Sequence, residues 1–226
     1  MRVADYLANY ISELGVENVF MLSGTGSVHL DDAFAFQENI NHICARHEAA
    51  AVYMAEAAAK LTGKIGVVIA TTGPGGTNAI SGIVEAWVDS TPVLVISGQV
   101  NTNQVSPGIR SFGVQGFNII ENVKNITKYA VQITDPYSIK YHLEEAIHHA
   151  TSGRPGPVWL DIPFDIQATK IDSSKLKGFK TNEELIHTTN TDDIKNAINL
   201  IQESKKPLVV FGQGIRMSDS IDEFKN

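Results

Sequence analysis

The chain has little of what marks a secreted or membrane-bound protein. Its 226 residues contain a single cysteine, Cys44, so no disulfide can form within one chain. No apolar run reaches the roughly 18 to 20 residues that cross a bilayer, and the N-terminus lacks the basic-then-apolar pattern of a secretory signal. These absences predict a cytoplasmic protein that does not bind membranes.

Basic charge is also scarce. The chain carries 18 Lys and Arg residues against 25 Asp and Glu residues, and its formal net charge is -7. No cluster of Lys and Arg falls on a periodic face, so the sequence offers no electrostatic footprint for nucleic acid or anionic lipid. Small molecules or other protein chains are therefore the expected partners.

Several common catalytic and nucleotide-binding motifs are absent or incomplete. The nucleophile-elbow pattern G-x-S-x-G does not occur. The pair His47-Glu48 is followed by Ala51 where a zinc protease needs its second histidine. The glycine turns at Gly24 and Gly73 lack the third glycine of the dinucleotide fingerprint. The turn Gly212-Gln213-Gly214 lacks it too, so nucleotide binding there is the less favoured alternative to a plain strand-to-helix turn.

What is present is an alternation of apolar segments and helical periods. Strands are expected at residues 19–22, 43–45, 66–71, 93–96 and 158–162. They are continuously apolar, which indicates a parallel sheet covered on both faces. The predicted fold class is therefore α/β, an open, doubly wound, mostly parallel sheet with helices on both faces. Among the helices, one is expected to be capped by Ser27 and another to cover about residues 79–89.

The composition changes after residue 165. Residues 166–190 are polar and rich in lysine, which is typical of an exposed linker. A helix capped by Thr191 and a strand at residues 208–211 would then begin a second α/β domain over residues 191–226. One helix and one strand cannot close a sheet, so the pattern predicts a truncated second domain after a first domain of residues 1–165.

Glu48 stands at the head of an alanine-rich helix, and a glycine loop follows at residues 73–76. The ordinary interpretation of such a glutamate is a favourable interaction with the positive end of the helix. The small side chains of this helix, however, let another helix pack closely enough to bury the carboxylate. A buried carboxylate can share or donate a proton, which is what an acid–base partner of a cofactor must do.

Six segments, taken in order, resemble one known family. They are R-H-E-A-A-A, G-V-V-I-A-T-T-G-P-G-G-T-N, A-W-V-D-S-T-P, I-S-G-Q-V, I-T-K-Y-A and S-G-R-P-G-P-V-W-L-D-I-P. The chain resembles the N-terminal, pyrimidine-binding domain of thiamine-diphosphate-dependent enzymes, and within them the acetolactate synthase-like group. The resemblance covers about residues 1 to 165, and residues 191–226 resemble the start of that family's central domain. The family's diphosphate-binding domain, whose G-D-G and downstream asparagine hold Mg²⁺, has no counterpart in this sequence.

The resemblance implies a lyase or transferase, a carboligase or decarboxylase that acts on a 2-oxo acid such as pyruvate. In the family, the counterpart of Glu48 hydrogen-bonds N1′ of the cofactor's pyrimidine ring and favours the tautomer that takes the proton from thiazolium C2. The cofactor pocket would also include Ser23, Gly24, Thr25, Gly26, Thr72, Gly73, Pro74, Gly75, Gly76 and Asn78. Gln99, Gln115, Phe117 and Lys128 match positions that approach the substrate channel. No metal ligand is expected within this chain.

Two positions depart from the family pattern. Relatives usually carry proline where Ser23 stands, and an acidic residue where Gly116 follows Gln115. These differences leave room for a related carboligase or decarboxylase with another substrate.

The family's assembly shapes further expectations. A homodimer or homotetramer is implied, with the alanine-rich helix at the interface and each site shared between subunits. The chain alone is therefore expected to bind the cofactor poorly and to be inactive, and an FAD site in the central domain is left open. Two alternatives also stay open: a small subunit of a split enzyme, and a non-catalytic interaction or regulatory module.

Overall fold

The computed structural model describes residues 1–105, 110–181 and 190–225. The chain forms two compact units, Met1–Lys180 and Thr181–Asn226. The first unit contains the whole sheet and every candidate site residue. Residues 182–189, which are part of the predicted linker, lie outside the described residues.

A six-stranded parallel sheet forms the centre of the first unit. Its strands are β1 (Asn18–Met21), β2 (Asn41–Cys44), β3 (Gly66–Ala70), β4 (Val93–Gln99), β5 (Tyr129–Gln132) and β6 (Val158–Pro163). They lie in the order β2-β1-β3-β4-β6-β5, and all five pairs are parallel. The predicted open α/β sheet is confirmed. The sequence pattern did not predict β5, because this edge strand is short and only half-buried.

Helices cover both faces of the sheet. In the first unit they are α1 (Val3–Glu13), α2 (Val28–Ala35), α3 (Glu48–Thr62), α4 (Pro74–Val88), α5 (Ile120–Val123), α6 (Ile139–Thr151) and α7 (Phe164–Ala168). One hydrophobic cluster joins α1, α2 and α6 to the face that carries Val67 and Ile69. The other joins α3 and α4 to the face that carries Val68 and Trp159. Successive side chains of a strand point to opposite faces, so a continuously apolar strand contributes to both clusters.

The direction in which successive strands are added to the sheet reverses between β1 and β3, which are parallel neighbours. From β1 the chain moves outward to β2, then crosses back to β3 and continues outward on the other side. In open α/β sheets ligands bind at the carboxyl ends of the strands, where the strand order reverses. The segments that leave this edge are the turn at residues 23–26, the start of α3 and the glycine loop after β3.

Helix α4 begins earlier than the pattern of apolar residues predicted. The expected start was about residue 79, whereas the helix starts at Pro74. Gly73 is the N-cap with φ 61° and ψ -115°, and Pro74 occupies the first helical position, where its missing N–H has no partner to lose. Gly75, Gly76 and Asn78 therefore lie within the first turns of α4 and not in a loop.

Residues 166–180 are not the exposed linker that their composition predicted. Ile171 and Leu176 are buried in the same cluster as α1, and Gln167 is fully buried. The amide of Ile171 also donates a hydrogen bond to the Met1 carbonyl at 2.9 Å. The lysines made this segment look polar, but its few apolar residues dock it on the first unit.

The second unit contains α8 (Thr191–Glu203), α9 (Gly214–Met217) and α10 (Ile221–Lys225) among its described residues. The N-cap of α8 is Asn190, not Thr191, and its side chain accepts a hydrogen bond from the Asp192 amide. The predicted strand at residues 208–211 is wrong, because residues 190–225 contain no strand and Leu208 is 87% exposed. A strand needs a neighbouring backbone to pair with. The predicted domain boundaries stay a prediction.

Candidate active site

Glu48 lies at the first position of α3, where the chain leaves β2. His47 is the N-cap, and its Nδ1 accepts a hydrogen bond from the Ala49 amide at 3.2 Å. Glu48 is only 5% exposed although it is charged and lies at a helix end. The positive end of α3 favours this carboxylate, and the packing of α3 against α4 buries it. The predicted burial of Glu48 is confirmed.

The carboxylate of Glu48 reaches across to the first turns of α4. Its Oε2 accepts a hydrogen bond from Nδ2 of Asn78 at 3.0 Å. A Cβ atom at Gly75 would lie 3.3 Å from Oε1 of Glu48 and 2.7 Å from Cγ2 of Thr71. Gly75 thus lets the carboxylate approach the α4 backbone closely. No described residue donates a hydrogen bond to Oε1.

The turn at residues 23–26 packs directly against the end of β3. The amide of Gly26 donates a hydrogen bond to Oγ1 of Thr71 at 3.2 Å. A Cβ atom at Gly26 would lie 2.5 Å from Cγ2 of Thr72, so only glycine fits there. Ser23 and Thr25 of this turn are exposed. The structure therefore brings the two predicted glycine turns together.

The helix after this turn is capped differently from the prediction. Ser27 is the N-cap of α2, but its side chain accepts no capping hydrogen bond. Its hydroxyl donates to the Gly24 carbonyl and to Oδ2 of Asp31. Burial raises the pKa of Asp31 to about 6, although hydrogen bonds from Gly24 and Ser27 oppose the shift.

A loop at residues 112–117 lies over Gly73. A Cβ atom at Gly73 would lie 2.9 Å from the Cα of Gln115 and would clash with the Val114 carbonyl. Thr72 is buried, and its hydroxyl lies 2.7 Å from the Gln115 carbonyl and 3.0 Å from Oε1 of Gln99. The side chain of Gln115 is exposed beside the glycine loop. Its role in a substrate channel stays a prediction.

An open cavity of about 580 Å³ lies between this loop and the start of α4. It is lined by Gly73, Pro74, Thr77, Arg110, Ser111, Gly113, Val114 and Phe117. Phe117 contributes an apolar wall, and Arg110 contributes the one cationic side chain of this lining. The residue pattern alone did not point to Arg110, because a single arginine in a loop carries no periodic or spacing signal.

Two predicted channel residues are not available to a ligand at this edge. Gln99 is only 1% exposed, and its amide is fully engaged by protein groups. Lys128 immediately precedes β5, so it lies at the amino end of the parallel strands, opposite to the site. Its Nζ donates a hydrogen bond to the Ser152 carbonyl at 2.6 Å, and burial lowers its pKa.

A buried polar cluster behind the loop was missed by sequence reasoning. Asp161 is fully buried on β6, with Ser97 and Gln132 opposite it on the neighbouring strands. Burial raises the pKa of Asp161 to about 6, against hydrogen bonds from Ser97, Gln132 and Gln99. The available signal was a set of polar residues at alternate positions near the carboxyl ends of apolar strands. Among the described residues, no group of three or more His, Cys, Asp or Glu side chains is arranged to hold a metal ion.

The doubly wound sheet, the glycine-rich turns and the buried carboxylate at the switch point are features of open α/β domains that bind organic ligands at this position. The model of the family "Thiamine pyrophosphate enzyme, N-terminal TPP binding domain" matches residues 1–133. The chain belongs to this family.

Several acetolactate synthases are similar to almost the whole chain. The large subunit from Lactococcus lactis is 38% identical over 95% of this chain and 37% of its own length. The chloroplastic enzyme of Arabidopsis thaliana is 36% identical over 98% of this chain and 33% of its own length. The probable large subunit of Methanocaldococcus jannaschii is 34% identical over 99% of this chain and 38% of its own length. The chain thus spans between 33% and 38% of the length of these relatives.

Proposed function

We propose that this chain provides the pyrimidine-binding part of a thiamine-diphosphate-dependent enzyme that joins or decarboxylates 2-oxo acids, with pyruvate as the expected substrate. The observation that carries this proposal is Glu48, a buried carboxylate with one oxygen bonded to Asn78 and the other without a hydrogen bond from any described residue. The similarity to acetolactate synthases supports a carboligase reaction. Turnover is expected only from the complete gene product, because the relatives are nearly three times as long.

The residues of the cleft fit the pyrimidine ring of this cofactor. Glycine at residues 26 and 75 lets the two turns pack closely against Thr71 and Thr72, because Cβ atoms there would clash with those side chains. Oε1 of Glu48 can exchange a proton with a ring nitrogen, while Asn78 keeps the carboxylate in one orientation. Thiamine diphosphate supplies the electron sink that allows a 2-oxo acid to lose its carboxylate.

The cavity beside Gly73 suits the substrate side of the site. Phe117 gives it an apolar wall, and the guanidinium of Arg110 can meet a carboxylate. We assign Mg²⁺, and with it the cofactor's diphosphate, to residues outside those that the structure describes. An FAD site is assigned to none of the described residues.

A second copy of the chain is the proposed protein partner, as a homodimer or a homotetramer of dimers. The α3–α4 pair exposes apolar side chains on the side that faces away from the sheet, among them Tyr53, Met54, Val84 and Val88. A soluble surface rarely exposes such a group of residues without a partner. No helix of the described residues is long and apolar enough to cross a membrane. The cytoplasmic location and the absence of nucleic acid binding stay predictions.

The test is carbon dioxide release by the complete gene product with thiamine diphosphate and Mg²⁺, on pyruvate and a panel of other 2-oxo acids. Glu48→Gln should lower kcat by about 10²- to 10⁴-fold, as expected for loss of an acid–base group. Glu56→Gln is the matched control, because Glu56 is also buried on α3 but bonds to Lys60 and Thr91, away from the cleft. That variant should unfold more easily and still turn over.

Two results would contradict the proposal. If Glu48→Gln and Glu56→Gln lose activity to the same degree, Glu48 acts through stability and not through the cofactor. If the complete gene product binds thiamine diphosphate but turns over no 2-oxo acid, the interaction or regulatory module becomes the better account. Turnover that appears only with a second, different polypeptide would identify a split enzyme.

A further inference from the structure

Three neighbouring strands place polar side chains in one buried row near the site. Asp161 on β6 pairs in register with Ser97 on β4 and with Gln132 on β5. Asp161 is fully buried and Ser97 is 1% exposed. Gln99, two residues beyond Ser97, lies on the same side of β4 and is equally buried. The row lies directly behind the loop at residues 112–117.

Every hydrogen bond to Asp161 requires its carboxylate to accept. Oδ1 accepts from Oγ of Ser97 at 2.6 Å, and Oδ2 accepts from Nε2 of Gln99 at 3.1 Å and Nε2 of Gln132 at 2.8 Å. The Ser97 hydroxyl donates to Asp161, and its oxygen accepts from Nε1 of Trp159 at 2.8 Å. An asparagine here would turn its N–H₂ group either toward Ser97, whose hydroxyl would then lose its acceptor, or toward the two glutamine donors. Only a carboxylate satisfies all three.

These bonds determine the orientation of the Gln99 amide. Its N–H₂ group donates to two groups that can only accept, the Asp161 carboxylate and the Phe117 carbonyl, the latter at 3.0 Å. Its Oε1 accepts from the Val100 amide at 2.9 Å and faces the Thr72 hydroxyl at 3.0 Å. Both ends of the amide are therefore saturated, and a rotated amide would lose bonds at both ends.

The loop is attached to this row through its backbone. Gln99 holds the Phe117 carbonyl, and the Thr72 hydroxyl lies 2.7 Å from the Gln115 carbonyl. The loop closes on itself through the Gly116 amide, which donates to the Phe112 carbonyl at 3.0 Å. The side chains of Gln115 and Phe117 are left to face the cleft, and Phe117 lines the cavity.

We infer that Asp161 is a positioning residue for the substrate side of the site. It fixes the Gln99 amide, and through it the backbone of the loop that carries Gln115 and Phe117. Among the described residues no cation contributes to the pKa shift of Asp161. Because a buried, unpaired carboxylate is unfavourable compared with an apolar side chain, packing alone does not explain an aspartate there. The part of this inference that concerns substrate rests on the proposed function. The part that concerns the loop does not.

The loop is tested in the chain itself by amide hydrogen exchange. Asp161→Asn and Gln99→Met should each raise the exchange rate of the Gly116 amide by about tenfold or more, because the loop loses its anchor. Gln132→Leu is the control, since it removes a donor from the same carboxylate but leaves the bond between Gln99 and Phe117. If Asp161→Asn does not fold, the exchange rate of the Gly116 amide in Gln99→Met becomes the test. This variant removes the bond to the Phe117 carbonyl and leaves Asp161 bonded to Ser97 and Gln132.

The substrate side is tested in the complete gene product by steady-state kinetics. Asp161→Asn and Gln99→Met should raise KM for the 2-oxo acid by about tenfold, with a smaller change in kcat and unchanged half-saturation by thiamine diphosphate. Loop exchange that stays at the wild-type rate, or rises equally in Gln132→Leu, would overturn the inference. A wild-type gene product without turnover would contradict the proposed function and leave the exchange result to decide the role of Asp161 in the loop.

Discussion

Oε2 of Glu48 accepts a hydrogen bond from Nδ2 of Asn78 at 3.0 Å, which joins the first turn of α3 to the first turns of α4. The two residues are thirty positions apart in the chain. Each stands after a strand of the sheet, and the two helix starts meet at the strands' carboxyl edge. Asn78 therefore holds the Glu48 carboxylate in one orientation, and under the proposed function the other oxygen would meet the cofactor.

Asn78→Ala should lower activity without unfolding the protein. Asn78 is exposed, so the free energy of unfolding should change by less than about 0.5 kcal/mol. A carboxylate that loses its orientation can lower kcat by up to about 100-fold. Asn78→Asp should be worse, because it places a second negative charge within hydrogen-bond distance of Glu48. The measurements are kcat of the complete gene product and the free energy of unfolding in urea. Ser81→Ala, at an exposed position of α4, is the control. Equal kcat in all variants would show that Asn78 does not orient Glu48 for the reaction.

Gly73→Ala should destabilise the fold more than Gly63→Ala. Gly63 has φ 71° and ψ 3°, the left-handed helical conformation, in which an alanine costs roughly 1 to 2 kcal/mol. Gly73 has φ 61° and ψ -115°, which lies outside the regions allowed to residues with a Cβ atom. A Cβ atom at Gly63 meets nothing within 4 Å, whereas at Gly73 it meets the backbone of Val114 and Gln115. Urea unfolding of both variants measures how much the clash and the less accessible backbone conformation at Gly73 together add to the penalty at Gly63. Equal losses would show that the loop does not rest on Gly73.

The free energy of unfolding should decrease as the pH rises from about 4 to about 6, because Asp161 is harder to ionise in the folded state. Its pKa is about 6 when folded and 3.8 when unfolded, so in this range the folded state holds a proton that the unfolded state has released. The contribution is fully present below pH 4 and is lost as the pH rises to 6. A difference of about two pH units corresponds to about 3 kcal/mol.

The measurement is the free energy of unfolding against pH for the wild type and for Asp161→Asn. Asp31 adds a slope of the same sign, because burial raises its pKa to about 6 as well, and this slope remains in the variant. Asp5 acts in the opposite direction at lower pH, since Arg2 lowers its pKa. The difference between the two curves therefore isolates Asp161. Parallel curves across this pH range would contradict the prediction.

Charge on the outer side of the α3–α4 pair should weaken self-association. Met54→Asp and Val84→Asp each place a carboxylate among exposed apolar side chains of the two helices. An unpaired charge buried on association should lower the affinity between subunits by at least tenfold, which sedimentation velocity measures directly. Phe36→Asp is the control, because Phe36 is 80% exposed at the end of α2 on the opposite side of the sheet. A monomeric wild type, or equal effects of all three variants, would refute the interface.

The local pattern was enough for the fold class and for the central residue. Continuously apolar strands separated by helical periods predicted the parallel sheet, because only a sheet covered on both faces tolerates them. The placement of Glu48 before small side chains predicted its burial, and α4 packs against α3 as that pattern required. The pattern failed where the structure depends on contacts that are distant in the chain. Residues 208–211 form no strand because no described strand lies beside them, and residues 166–180 pack against α1 through Ile171.

The sequence by itself therefore determined the type of sheet, the order of most elements and the carboxylate on which the proposed chemistry depends, because periodicity and residue size act locally. Only the tertiary structure decided which groups face that carboxylate. Lys128 lies at the amino end of the parallel strands, away from Glu48, because it immediately precedes β5. The side chain of Gln99 points into the protein and donates a hydrogen bond to Asp161. Contacts between strands that are distant in the chain leave no spacing signal, so the row that holds the loop becomes visible only when the sheet is assembled.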